Sequence, residues 1–292
     1  MGARVHWRDR CVRSHRATGR GVDPQPPGEG WKVRALTRRP ARRRARALAE
    51  LGADVVRADM NDPASLRAAF EGANGVYSVQ NGLKSGFDRE VAQGRNVADA
   101  AKDVGVRHVV YGSAGTGAPT GVPSWDAKLA VEDHMRQLDL PFTILRGMAF
   151  MELMTDPSFF PAVGTWNIWP KLMGDDRPVP WLSVEDLGEI AAKTFADPDR
   201  FVGKDVRLAS DLQTLAECRT MYGEVMGRRP RSLPMPMWMF DRFTRRDLTT
   251  MWRWCRTGPV PLDTSPTHAI LPSALTVRQW LETIRQRTTA ER

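Results

Sequence analysis

RHVVYGSAGTGAPTGVPSWDAKLAVEDHMRQLDLPFTILRG, residues 107–147, is the stretch that decides the fold. Its first part, RHVVYGSAG, is a short apolar run closed by glycine and serine, the length and composition of a buried strand. SWDAKLAVEDHMRQLDL then sets apolar residues three and four apart, the period of a helix with one buried face. PFTILR opens on proline and returns to a short apolar run, a second strand. A strand, a helix and a strand in this order indicate parallel strands joined by a crossover helix.

The same rhythm extends towards the N-terminus. KVRAL, at 32–36, reads as a strand; Pro40 opens a helix through ARRRARALAEL and Gly52 closes it, following the preference for proline at a helix start and glycine past its end. ADVVRAD is the next strand, and NDPASLRAAFEG a helix with Asp62 as N-cap and Pro63 at its first position. GVYSV, at 75–79, is a third strand, and FDREVAQGRNVADAAKDVG a long amphipathic helix. The expected fold class is α/β, a Rossmann-type doubly wound parallel sheet.

Beyond Arg146 the rhythm breaks into longer loops with Pro, Trp and Met, as expected of a smaller C-terminal lobe that covers a substrate. Helices are still marked by Ser183 before VEDLGEIAAKTFA, by Thr214 with Glu217 as a capping box, and by TVRQWLETIRQR. Trp166, Trp169 and Trp181 suit either an apolar cleft or a core. PMPMWMFDRF reads as packing for this lobe, with membrane contact as the alternative. The organisation expected is a basic, aberrant segment at 1–30, a Rossmann core at 31–146 and the lobe at 147–292.

The first segment differs from all the rest. Residues 1–46 hold 14 Lys and Arg against 3 Asp and Glu, whereas the remainder is nearly neutral, so the net charge of +9 belongs to the N-terminus and not to a nucleic-acid face of the globular body. HWRDRCVRSHRATGRGVDPQPPGEG, at 6–30, has no apolar run and reads as a disordered stretch. The 292 residues can bury a full core, and no run approaches a membrane span. Cys11, Cys218 and Cys255 are far apart and His6, His15, His108, His134 and His268 have no metal spacing, which together point to a reducing, cytoplasmic setting without a structural metal.

WKVRALTR, GADVVRADMND, AAKDVGVRHVVYGSAG, WDAKLAVEDHM, PFTILRGMAFME and VPWLSVEDLGEIAAKTFADPDRFVGKDVRLASD, in this order and spacing, resemble the NmrA-like family from about Trp31 to Ile284. The resemblance implies an atypical short-chain dehydrogenase relative that binds NAD(P), either an oxidoreductase or a redox-sensing regulator with a protein partner. It also implies a first strand running into a Thr-Gly-x-x-Gly-x-x-Gly turn, whose backbone would approach the cofactor's pyrophosphate. That strand and turn are missing here; Thr18, Gly19 and Gly21 form only a lone TGRG. A reading frame shifted by one nucleotide accounts for this, since VHWRDRC so shifted permits Ser-Thr-Gly-Ala-Thr-Gly; a natural tail is the other account.

The resemblance also implies the site. Arg38 and Arg39 follow the second strand, where arginine suits the 2′-phosphate of NADP and an acid would suit NAD. Asp59 and Met60 match positions that contact adenine, while Gln80 and Asn81 pass the nicotinamide side. Ser113 and Lys128 match the family's serine and lysine, as cofactor ligands and catalytic groups; the tyrosine expected four residues before the lysine is Ser124, which removes the usual proton donor. Phe150 and Met151 match the segment flanking the nicotinamide. The function so implied is reduction of a small apolar carbonyl or quinone-like compound with NADP, NAD being less suited. The alternative is a silent NADP(H) sensor read by a regulatory protein. Neither membrane nor nucleic acid is expected as a partner.

Overall fold

The computed structural model describes residues 11–13, 31–155, 164–232 and 234–290. In chain order the elements begin with β1 (Cys11–Arg13), β2 (Val33–Thr37), α1 (Arg43–Glu50), β3 (Asp54–Arg57), α2 (Pro63–Phe70) and β4 (Gly75–Ser78). Next come α3 (Gly82–Ser85), α4 (Phe87–Asp103), β5 (His108–Ser113), α5 (Pro123–Gln137), β6 (Phe142–Gly147) and β7 (Ala149–Phe150). The lobe adds α6 (Trp169–Met173), β8 (Pro178–Leu182), α7 (Val184–Ala196), α8 (Pro198–Phe201), β9 (Asp205–Leu208) and β10 (Asp211–Thr214). It closes with α9 (Leu215–Met226), α10 (Met237–Thr244), α11 (Asp247–Thr257), α12 (Ser265–Ile270) and α13 (Val277–Ala290).

β4, β5, β6 and β9 form one parallel sheet, and β2 pairs parallel with β3. Alternation along β5 explains the double winding. Val109 and Tyr111 face a core built with α2, α4 and α5, whereas Val110 faces a second core with Ile190 and Phe195 of α7 and Ile270 of α12. The α4 and α5 helices touch at Gly94, where a Cβ would stand 2.4 Å from a methyl of Val131. Only a glycine lets the two axes come this close.

The capping signals read from the sequence hold. The Asp62 carboxylate accepts from the N–H groups of Ala64 and Ser65, the Ser183 hydroxyl from Asp186, and Thr214 and Glu217 cap reciprocally. At Pro40 the expectation fails. The Arg42 N–H donates to the Arg39 carbonyl in a turn, Arg42 is extended, and α1 begins only at Arg43.

The first strand needs a correction as well. Residues 11–13 form a strand, pairing antiparallel with β2 through Cys11↔Ala35, Val12↔Arg34 and Arg13↔Val33. It lies between β2 and β4, yet among the described residues no ladder joins it to β4. The slot at the centre of the sheet is thus occupied by three residues running the wrong way. Thr18, Gly19 and Gly21 lie outside the described residues.

The lobe packs around tryptophans. Trp169 stacks on Trp252 with ring centres 5.1 Å apart, and Trp252 on Phe240 at 5.5 Å; Trp166 and Trp181 are also buried. Within PMPMWMFDRF, however, only part of the expected packing is found: Phe240 is buried, while Trp238 and Phe243 are 71% and 72% exposed.

Candidate functional site

Parallel strands end together, and their C-terminal ends open on a cleft of about 1150 Å³. This is where α/β sheets bind ligands, because the loops diverge there and helix N-termini face inward. Arg38 and Arg39 border one end, Gln80, Asn81, Ser113 and Lys128 the middle, and Phe150 the far end. Asp59, Met60 and Met151 are not among its bordering residues. The Asp59 carboxylate caps a turn by accepting from the backbone and side-chain nitrogens of Asn61 at 3.0 and 2.7 Å, and stands 4.0 Å from Arg38. Met60 and Met151 belong to the cores.

Lys128 lies one turn into α5. Its ammonium donates to Glu90 Oε1 at 2.9 Å and to the Gln80 carbonyl at 3.3 Å, and stands over the Tyr111 ring 5.7 Å from its centre. Glu90 comes from α4 and is fully buried, so this is a charge pair held inside the wall of the cleft. An ammonium has three N–H groups, and these contacts use two of them. Glu90 Oε2 and Gln80 Oε1 are buried with no hydrogen-bond partner.

Ser113, at the end of β5, is tightly engaged. Its hydroxyl donates to Glu132 Oε1 at 2.5 Å and accepts from Arg146 Nη1 at 3.2 Å. Arg146 also donates to Glu132 Oε2 at 2.8 Å, to Asp205 Oδ2 at 2.7 Å and to the Ala114 carbonyl at 2.9 Å. Burial opposes the Arg146 charge, but the carboxylates of Asp205 and Glu132 outweigh it and raise its pKa. The network ties β5, α5, β6 and β9 together beneath the cleft.

At the position of the missing tyrosine, the Ser124 N–H donates to Asp247 Oδ1 at 2.8 Å. Asp247 is fully buried at the start of α11, and burial, reinforced by Glu90, lifts its carboxyl above the usual carboxylate range. The C-terminal lobe therefore sets an acid against the first turn of α5. Tyr111 does not stand in for the absent phenol: burial, with Glu90 and Glu132 adding to it, holds its pKa far above the ordinary value, and it does not border the cleft.

Past Lys128 the cleft is apolar, walled by Met148, Leu153, Trp169, Met251, Trp252 and Cys255. Burial raises the Cys255 thiol to about 12, so it is a packing group and not a nucleophile at neutral pH. Among the described residues no cluster of His, Cys, Asp and Glu could hold a metal, and no helix is long and apolar enough to cross a membrane. The described walls thus set exposed arginines at one end and an ammonium with buried, unmatched polar atoms beside an apolar chamber at the other. Ser113 and Lys128, singled out from the sequence, both border the cleft, whereas Glu90, Glu132 and Asp247, whose partners lie 38, 19 and 123 residues away, carried no sequence signal.

Residues 22–281 match the model of the NmrA-like family. The NmrA-like family domain-containing oxidoreductase malD of Malbranchea aurantiaca is 30% identical over 236 residues, 72% of this chain and 69% of that protein. Among solved structures, NmrA, a negative transcriptional regulator in complex with NADP, shares the fold with a TM-score of 0.68 at 19% identity, covering 88% of this chain and 89% of that one. Triphenylmethane reductase of Citrobacter sp., complexed with NADP(H), gives 0.65 at 19% identity, covering 86% and 90%.

Proposed function

The chain belongs to the NmrA-like family, and on that footing we propose that it is a reductase passing hydride from a nicotinamide cofactor, NADPH in preference to NADH, to a small apolar carbonyl or quinone-like compound. The observation that carries this reading is the continuation of the cleft beyond Lys128 into a chamber walled by Trp169, Trp252, Met148 and Met251. A protein that only bound a dinucleotide would have no use for an apolar compartment next to the reacting ring. Arg38 and Arg39 would hold the 2′-phosphate, since a guanidinium matches a phosphate bidentately. Lys128, with its free N–H, would hold the nicotinamide ribose or polarise the substrate oxygen. Glu90 holds that ammonium in place. Ser113 would support the site through Glu132 and Arg146, with its hydroxyl already committed to them.

The same commitment of Ser113, and serine at position 124, favour a second reading, an NADP(H) sensor without turnover that a regulatory protein reads. The discriminating experiment incubates the purified protein with NADPH and a panel of aldehydes, ketones and quinones. Steady NADPH oxidation that falls about a hundredfold in Lys128→Met and little in Ser113→Ala is the expected result. Saturable NADPH binding with no oxidation across the panel would overturn the reductase and leave the sensor.

A further inference from the structure

Most large apolar side chains of the described residues are covered, but two exposed ones share the eight-residue helix α10: Trp238 at 71% and Phe243 at 72% exposure. With about 100° between successive residues, Trp238, Met239, Arg242 and Phe243 span an arc of about 140° that leaves the buried Phe240 and Thr244 outside it. Residues 228–246 carry six arginines and one acid, Asp241. That acid is engaged, because its carboxylate accepts from the Thr249 hydroxyl. Arg245 and Arg246 follow directly, both in the left-handed backbone region at φ 53° and 60°, and both exposed. Two consecutive arginines in that conformation are strained, because an L side chain there crowds its own backbone.

We propose that α10 and its flanking arginines form a docking surface for an anionic lipid membrane, with Trp238 and Phe243 entering the interface and Arg242, Arg245 and Arg246 pairing with lipid phosphates. Helices that lie in a membrane surface combine these features: aromatic side chains on one face and arginine beside them. A second copy of the chain is disfavoured as occupant, since a symmetric contact would set arginine against arginine. The location adds to the argument. Leu248, Met251, Trp252 and Cys255 of α11, the next helix, wall the apolar end of the cleft, so docking through α10 would bring that chamber close to the bilayer. This second step, supply of a membrane-dissolved apolar substrate, rests on the reductase reading; the surface binding does not.

The test is flotation of the full chain with vesicles of phosphatidylcholine alone and of phosphatidylcholine with phosphatidylglycerol, across a salt series. Binding to the anionic vesicles only, weakening with salt, is expected. The double variant Trp238→Ala/Phe243→Ala should lower that binding at least about tenfold, because it removes the buried aromatic area. Arg242→Gln/Arg245→Gln/Arg246→Gln should do the same by removing charge. Equal binding to neutral vesicles, no binding to either kind, or unchanged binding by the double variant would overturn the proposal, the last because the arginines of residues 1–46 would then be sufficient. A concentration-dependent dimer lost in the double variant, without lipid binding, would assign the surface to a second copy instead. Thermal melts matching the wild type keep misfolding out of the comparison, and none of these readouts depends on turnover.

Discussion

At the scale of single residues, the site is held by groups that pair across long stretches of chain. Lys128 was legible because one lysine on the helix after a strand matches a family position; Glu90 and Asp247 were not, because nothing local marks an acid on an amphipathic helix as buried. His108 gives the clearest pH dependence. It is buried at the start of β5, bonded through Nε2 to the Thr143 hydroxyl at 2.8 Å and set edge-on to Phe195, and burial lowers its pKa to about 4. The folded state thus refuses a proton that the unfolded chain accepts below its ordinary value near 6.5. Stability from this residue is complete above that value and is lost as pH falls towards 4. Denaturant melts should show about 2 kcal/mol less stability at pH 5 than at pH 8 from this residue, a difference absent in His108→Gln.

At the scale of elements, the strand and helix alternation could be read almost throughout, because periodicity and caps are properties of a few adjacent residues. Asp62, Ser183 and the Thr214–Glu217 box start their helices where the sequence places them. Pro40 misled because the residues after it first make a turn, and α1 begins only at Arg43. How closely the elements approach each other was not legible. Gly94 gave no sign that it sits against Val131, a stiff β-branched side chain that has no flexible end to withdraw. Gly94→Ala should therefore destabilise the protein by about 1–3 kcal/mol in a denaturant melt, against the usual gain of alanine over glycine in a helix. Unchanged stability would mean that α4 and α5 can slide apart at little cost.

At the scale of the whole molecule, the fold class was legible, and the weak point was as well, though not its form. A sheet that should be continuous from β3 to β9 is interrupted where β1, three residues long and antiparallel to β2, lies beside β4. Replacing residues 5–30 with a parallel strand and a Thr-Gly-x-x-Gly-x-x-Gly turn should tighten NADP(H) binding at least about tenfold, since backbone N–H groups and a helix N-terminus would then meet the pyrophosphate. Equal affinity in a fluorescence titration would show that the arginines and Lys128 are sufficient without a cradle.

The interruption has a further consequence in time. Backbone amides of β5 and β6, flanked by ladders on both sides, can exchange with solvent only when the whole domain opens. Those of β2 and β3 belong to a piece joined to the rest by packing and one crossover, with no ladder to β4 among the described residues. That piece can breathe on its own. The protein then has two clocks, a slow one for the body and a faster one for the layer that carries Arg38 and Arg39.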